Sequence, residues 1–153
     1  MTERFVVVPA AYIVFLRERD RRPEVLLQLR EGTGYMDGHW ANAAAGHVER
    51  GESVFDAAAR EAAEELDVHD VELTPLCAMH RTGANGAPID ERVDYFFSTR
   101  SWTGEPRIVE PQKCADLRWF PLDALPEPVV QHELRVLSLL RTGEVPPILA
   151  HGF

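Results

Sequence analysis

Glu61, Glu64 and Glu65 stand at i, i+3 and i+4 in the stretch GHVERGESVFDAAAREAAEELDV, residues 46–68. On a helix these carboxylates would be neighbours on one face, where like charges repel. No Lys or Arg follows four positions on to relieve them. Three converging carboxylates make a hard-oxygen site, suited to Mg²⁺ or Mn²⁺ and poorly suited to zinc. A divalent cation would cancel the repulsion. A solvated acidic face has the same spacing, so spacing alone leaves both readings open.

The helix that would carry them is legible. Ser53 is a good N-cap, and Asp56 three residues on completes a variant of the capping box at the positive helix end. At about 100° per residue, Phe55, Ala59, Ala62, Ala63 and Leu66 form the expected core face. Small alanines there would let the helix approach a sheet closely. Arg60 stands beside Glu64, Ala57 lies in line with the acidic cluster, and Asp67 sits just past the helix end, where Gly is usual but Asp can tolerate a left-handed conformation.

Bulk properties limit what such a site serves. A chain of 153 residues has the size of one domain with its own core. Its 27% charged and 45% hydrophobic residues are those of an ordinary globular protein. Sixteen Lys and Arg against 25 Asp and Glu leave a net charge of −9, which disfavours a nucleic-acid polymer as partner but not one small anion held through a metal. Cys77 and Cys114 form neither a metal-ligand spacing nor a disulfide framework. The apolar run FVVVPAAYIVFL (5–16) is too short to span a bilayer and lacks signal-peptide flanks. We therefore expect a cytoplasmic protein without a membrane partner; a homodimer is compatible with the sequence.

Around the helix, strands are expected at 5–17, 25–30, 71–81, 92–100 and 117–120, with a short or extended segment at 40–45. Polar turns or loops fall at 17–23, 30–39, 82–90 and 102–114. The first helix is expected at 54–66 and a second, amphipathic one at 129–141. A mixed sheet flanked by two helices follows, of α/β or α+β class.

Residues 46–68 also read G-x5-E-x7-R-E-x2-E-E, closing on an apolar residue, with matches at Gly46, Glu52, Arg60, Glu61, Glu64, Glu65 and Val68. This resembles the signature of the Nudix (MutT-like) hydrolase family, and WFPLDALP (119–126) and the flanking strands resemble it too. The resemblance implies a Nudix α/β/α sandwich with a mixed sheet over residues 1–153. Asp67 replaces the usual motif glycine, Ala62 a larger aliphatic, and WANAAAG lacks the common Pro-Gly before the motif. None of these departures removes a charged group.

The implied activity is Mg²⁺-dependent cleavage (Mn²⁺ substituting) of the pyrophosphate linkage in a nucleoside triphosphate or other nucleoside diphosphate derivative. By motif position, Glu61, Glu64 and Glu65 would be metal ligands, one doubling as base. The Ala45 carbonyl would add a ligand, Arg60 would orient a carboxylate, and Glu52 would support the loop or a second metal. Some members use a further loop Glu; Glu110 is the candidate here and Glu105 the weaker one, against a reading of either as a solvated side chain. Arg30 could meet a phosphate, and Tyr35, His39 and Trp40 could line the pocket mouth. Arg92, Asp94 and Phe96 share one strand face and could hold phosphate, base edge and base ring, or simply form a cross-strand ion pair. Trp40 and Trp119 read as packing residues, and His47 as a loop histidine. Two other functions are carried alongside: a silent Nudix-like module binding a nucleotide metabolite, and an isoprenoid diphosphate isomerase, whose chemistry needs a cysteine and an acid at the substrate carbon.

Overall fold

The computed structural model describes residues 2–153. Its elements are β1 (Val8–Arg19), β2 (Arg22–Arg30), β3 (Trp40–Asn42), β4 (Ala44–His47), α1 (Val54–Leu66), β5 (Thr74–Arg81), a 3₁₀ turn (Pro88–Asp90), β6 (Arg92–Thr99), β7 (Cys114–Pro121), α2 (Gln131–Thr142) and β8 (Ile148–His151). The strands form one mixed eight-stranded sheet in the order β3-β2-β1-β6-β5-β8, with β4 on β1 and β7 on β2.

β1 sits between two cores because it is apolar on both faces. Tyr12, Val14 and Leu16 point to one, with Phe96, Met79 and the α2 residues Val136 and Leu137. Ala11, Ile13 and Phe15 point to the other, with Phe97 and the α1 residues Ala57, Ala58, Ala62 and Leu66. One helix thus covers each face, the expected sandwich of helix, mixed sheet and helix.

The placement of the site follows from how β1 changes partners. It runs antiparallel to β2 only near their hairpin, from Leu16 opposite Val25 to Arg19 opposite Arg22. Deeper in, it pairs with β4 instead, Ala10 to Ile13 against His47 to Ala44. β1 and β2 therefore splay apart. Gln28 Nε2 bridges the wedge by donating to the carbonyls of Asn42 (3.1 Å) and Ala43 (3.2 Å).

Three expectations need correction. The α1 core face is Ala57, Ala58, Ala62 and Leu66, not the arc through Phe55, Ala59 and Ala63; Phe55 is half-exposed and only its ring meets Phe97, at 5.2 Å. The helix is rolled so that Ala57, in line with Glu61, is buried, which turns the acidic cluster toward β4. His47 ends β4 rather than lying in a loop. Finally, β8 was not foreseen: it is a short edge strand after Pro146 and Pro147, paired parallel to β5.

Candidate functional site

α1 begins as its sequence dictates. Ser53 Oγ accepts from the Asp56 amide at 3.0 Å, and the helix ends at Asp67 in the left-handed region (φ 55°). On the face turned to β4, Glu61 presses against Gly46 so closely that a Cβ there would fall within its carboxylate. Glu65 Oε2 accepts the Ala45 amide at 3.1 Å. Both carboxyls stand above their ordinary pKa. Burial is the main cause; for Glu65 the neighbouring Glu61 charge adds to it, while Arg60 partly offsets it at Glu61.

Arg60 organises the motif. Its Nε and Nη2 donate to the two oxygens of Glu52 (2.8 and 2.9 Å), and Nη2 also donates to the His47 carbonyl at 3.0 Å. Nη1 donates to Glu61 at 2.7 Å and to Glu64 at 3.3 Å. The Arg60 hydrogen bonds hold the Glu52 carboxyl down to about 2. Glu64 is the most exposed of the three helix carboxylates and points toward Arg60.

The 102–114 loop is tied to the end of α1. Arg107 and Val109 donate their amides to the Leu66 and Glu65 carbonyls (3.1 and 3.4 Å), and Arg107 Nε pairs with Asp67 at 3.1 Å. This satisfies carbonyls a helix end leaves free. It also carries Glu110 to the cavity that Glu65 lines, about 320 Å³ in volume and shared with Lys113, Cys114 and Arg30. Lys113 Nζ stands 3.4 Å from Glu110. Glu105 is exposed and lines neither this cavity nor its neighbour.

A second cavity, about 360 Å³, opens in the wedge between β2 and β4. Arg30, Tyr35, Arg81, Arg92, His47 and Glu133 are on its walls. Arg30, Gln28 and Ala45 line both cavities, so the two share a wall. Arg30 is held by the Tyr35 carbonyl (2.8 Å) and Thr33 Oγ1 (3.1 Å). Asp94 is fully buried and is not a wall residue. It accepts from Arg81 Nε across the strands at 2.7 Å and faces Arg92 Nε at 3.6 Å, so it fixes arginines that line the cavity. Trp40 is buried, edge-on to Phe120, and Trp119 stacks on Trp102.

The residues that sequence reading missed lie on the floor of this cavity. Glu133, on α2, is buried, and its Oε1 accepts from both the amide (2.8 Å) and the side-chain Nδ2 (3.0 Å) of Asn42. Burial lifts its carboxyl to about 7, partly opposed by those Asn42 bonds. Beside it, burial drives His132 down to about 2, so its ring is neutral where Nε2 meets the Tyr12 hydroxyl at 3.1 Å. A signal existed: Val130, Glu133, Val136, Leu137 and Leu140 follow the apolar helical spacing, with an acid inside the stripe.

Among the described residues, no three His, Cys, Asp or Glu side chains stand together as a preformed metal cage. Arg60 already supplies the positive charge between Glu61 and Glu64. The donor set nevertheless fits a hard divalent cation: the partly buried Glu61 and Glu65 adjoin one another, and Glu110 shares the cavity of Glu65.

Fold and motif together define a class. The profile of the NUDIX domain matches residues 7–140, and the chain belongs to the Nudix family. It is 31% identical over 122 residues to the isopentenyl-diphosphate Delta-isomerase of Jannaschia sp. (strain CCS1), spanning 78% of this chain and 67% of that one. It also resembles the MutT NUDIX hydrolase of Burkholderia pseudomallei, with TM-score 0.71 and 31% identity over 85% of this chain and 96% of that one. The NUDIX domain of Shewanella oneidensis NrtR, solved with ADP ribose, superposes with TM-score 0.73 at 20% identity, covering 90% and 88% of the two chains. That last likeness is one of fold.

Proposed function

We propose that this chain is a divalent-cation-dependent hydrolase of a phosphoanhydride, acting on a nucleoside triphosphate or another nucleoside diphosphate derivative. One observation carries the reading: the carboxylate cavity and the polar cavity share the wall formed by Gln28, Arg30 and Ala45. A ligand seated in the polar cavity and reaching toward Glu65 must run its phosphates past Arg30, whose planar fork suits phosphate oxygens. Arg92, held by Asp94, adds positive charge to the same cavity.

Glu61, Glu65 and the Ala45 carbonyl would hold a Mg²⁺ or Mn²⁺ ion, with Glu64 joining once released from Arg60. Such an ion, when bound, neutralises phosphate charge and lowers the pKa of a coordinated water. The chain's own groups do the rest. Arg60 keeps Glu61 aimed at β4, Glu52 keeps Arg60 in place, and the Ala45 amide fixes Glu65. Glu110 takes the proton of the attacking water, its carboxylate kept near by Lys113. The free thiols of Cys77 and Cys114 suit a reducing, cytoplasmic setting. No helix among the described residues is long and apolar enough to cross a membrane.

A second reading, isomerisation of an isoprenoid diphosphate, is favoured by the likeness to the Jannaschia isomerase and by Cys114, which lines the cavity of Glu65 and Glu110. Two features weigh against it. Burial raises the Cys114 thiol, whose Sγ donates to the Asp116 carbonyl at 3.1 Å. The cavity between β2 and β4 has Arg30, Arg81, Arg92 and Glu133 on its walls, charges that a hydrocarbon tail would leave without a partner.

The deciding experiment offers purified protein with Mg²⁺ a panel of nucleoside triphosphates, nucleotide sugars and dinucleotides, and separately isopentenyl diphosphate in D₂O. Release of phosphate, pyrophosphate or nucleoside monophosphate is expected. Deuterium incorporation into isopentenyl diphosphate without hydrolysis would replace this reading by the isomerase. Binding of nucleotides without either reaction would leave the silent module.

A further inference from the structure

The side of the sheet that carries α1 is only partly covered. α1 packs chiefly on β1 and β4 and reaches β6 through Phe55, whose ring lies 5.2 Å from that of Phe97. Strand register fixes which residues continue this side toward the sheet edge. Tyr95 stands opposite Ala78 and Val93 opposite His80, with Ile148 and Ala150 beside Ala78 and His80 on β8. Met79 and Leu149, between them in sequence, point to the α2 core on the other side. At the edge the side is open to water: His80 and Ala150 are exposed, and Ile148 is 75% exposed.

Phe153 is held on this open side. Its ring packs against His80 at 4.7 Å between centroids, yet the residue is 77% exposed. The Thr82 amide donates to the His151 carbonyl at 3.1 Å, and Gly152 (φ 92°) lies so close to the Thr82 carbonyl that a Cβ would overlap it. A large aromatic ring is therefore fixed in place by its neighbours and left facing solvent. Phe55, at the other end of the face, is 52% exposed. Ala59, on the arc of α1 whose spacing marks it as core, is exposed as well.

The size of this face matches what a dimer buries. Taking about 200 Å² for a full large side chain, Phe55, Ile148 and Phe153 alone leave roughly 400 Å² in water. With the flanking alanines, His80 and the half-buried Tyr95 and Val93, the face reaches on the order of 700 Å². That exceeds the largest apolar patch of a typical monomer and approaches the area each partner contributes to a standard interface. Charge points to the same occupant. Of these residues only His80 can carry charge, in a chain of net charge −9. Two copies repel through most of their surface, and this face is free of the acids that drive them apart. A strongly acidic or basic partner finds nothing on it to pair with.

We propose that two copies of this chain associate through the open side of β6, β5 and β8, sheet against sheet, in a twofold dimer anchored by Phe55, Ile148 and Phe153. None of the residues of this face lines either cavity, so the dimer leaves both open in each copy and stands independently of the hydrolase reading.

Sedimentation velocity of the purified chain across a concentration series tests this. A species of twice 17.2 kDa is expected in the micromolar range. Ile148→Glu places two like charges in the dry centre of the contact and should raise the dimer dissociation constant at least about thirtyfold, the scale of an interface hot spot. Its melting curve, taken where wild type is monomeric, reports whether it folds; if it does not, Phe153→Ser carries the same comparison. Leu134→Glu, on the opposite side of the molecule, should leave the dimer intact. A wild-type monomer at 100 times those concentrations would overturn the proposal. So would a dimer unchanged in both face variants, or one abolished by Leu134→Glu, which would place the contact on the groove between α2 and β8 instead.

Discussion

Gly46 and Glu61 are in direct contact: the Glu61 carboxylate fills the space a Cβ of residue 46 would need. Gly46 does not have a positive φ, so alanine meets no backbone penalty there. What must move is the far end of a flexible glutamate. Gly46→Ala should therefore keep the fold, with melting within a few degrees of wild type, yet displace Glu61 from the proposed cation site and from Arg60. The expected loss in kcat is on the order of 10²-fold, since small misplacements at a reacting centre cost that much. Full activity in the variant would show that Glu61 acts from another position.

Glu110 is the second residue whose placement makes a kinetic claim. The loop-to-helix hydrogen bonds from Arg107 and Val109 set it in the cavity of Glu65. On the proposed role as acceptor of the water proton, its loss should reduce kcat by roughly 10²-fold or more while leaving KM nearly unchanged. Steady-state kinetics of Glu110→Gln would check this. An unchanged kcat returns Glu110 to the role of partner for Lys113 only.

The metal assignment has a stability readout that needs no substrate. Burial and neighbouring carboxylates raise the carboxyls of Glu61 and Glu65, and a cation that binds only the folded chain would relieve them. At 100 times its dissociation constant such a ligand adds about 2.7 kcal/mol. For a chain of this size that is a rise in Tm on the order of 5–10 °C. Glu65→Gln retains an acceptor for the Ala45 amide but should lose most of the rise. A parallel measurement on Glu64→Gln tells whether Glu64, held by Arg60, takes part. Identical Mg²⁺ responses in wild type and Glu65→Gln would sink the assignment. Ca²⁺, with its longer and looser oxygen shell, should also raise Tm but support little turnover.

The parts of this architecture that were readable from sequence are those governed by local rules. Ser53, Asp56 and Asp67 mark the ends of α1 because capping is decided within one turn. β1 and β6 announce themselves by β-branched and aromatic residues. The rotation of α1 was not readable. An arc through Phe55 and the arc through Ala57 and Ala58 have similar apolar content, and the choice is made by β4, whose Gly46 admits the Glu61 carboxylate. β8 escaped notice because four residues after two prolines show no alternation, and the edge of β5 supplies their order. Asn42 and Glu133 could not be paired from sequence at all. Their contact depends on α2 packing over the splay between β1 and β2, a tertiary fact with no local trace beyond one acid in an apolar stripe.

That same acid should shape the pH dependence of stability. Burial lifts Glu133 to about 7 in the folded chain, with the Asn42 bonds and Arg30 opposing and Asp94 assisting. An acid with a raised folded pKa is still protonated in the native state where the unfolded chain has already ionised. Its contribution is therefore fully present below about pH 4.5 and is lost as pH climbs toward 7. The loss amounts to about 3 kcal/mol. His132 acts with the opposite sign: held neutral when folded, it adds stability as pH rises toward the unfolded histidine value near 6.5. The two largely cancel in wild type between about pH 4.5 and 6.5. Glu133→Gln removes only the acid's part, so the cancellation fails in the variant. Thermal or urea unfolding should find the variant near wild type at pH 4.5. At pH 8 it should be the more stable of the two, by several degrees in Tm. A gap between them that stays constant from pH 4.5 to 8 would show that Glu133 titrates normally and that its burial with Asn42 does not hold in solution.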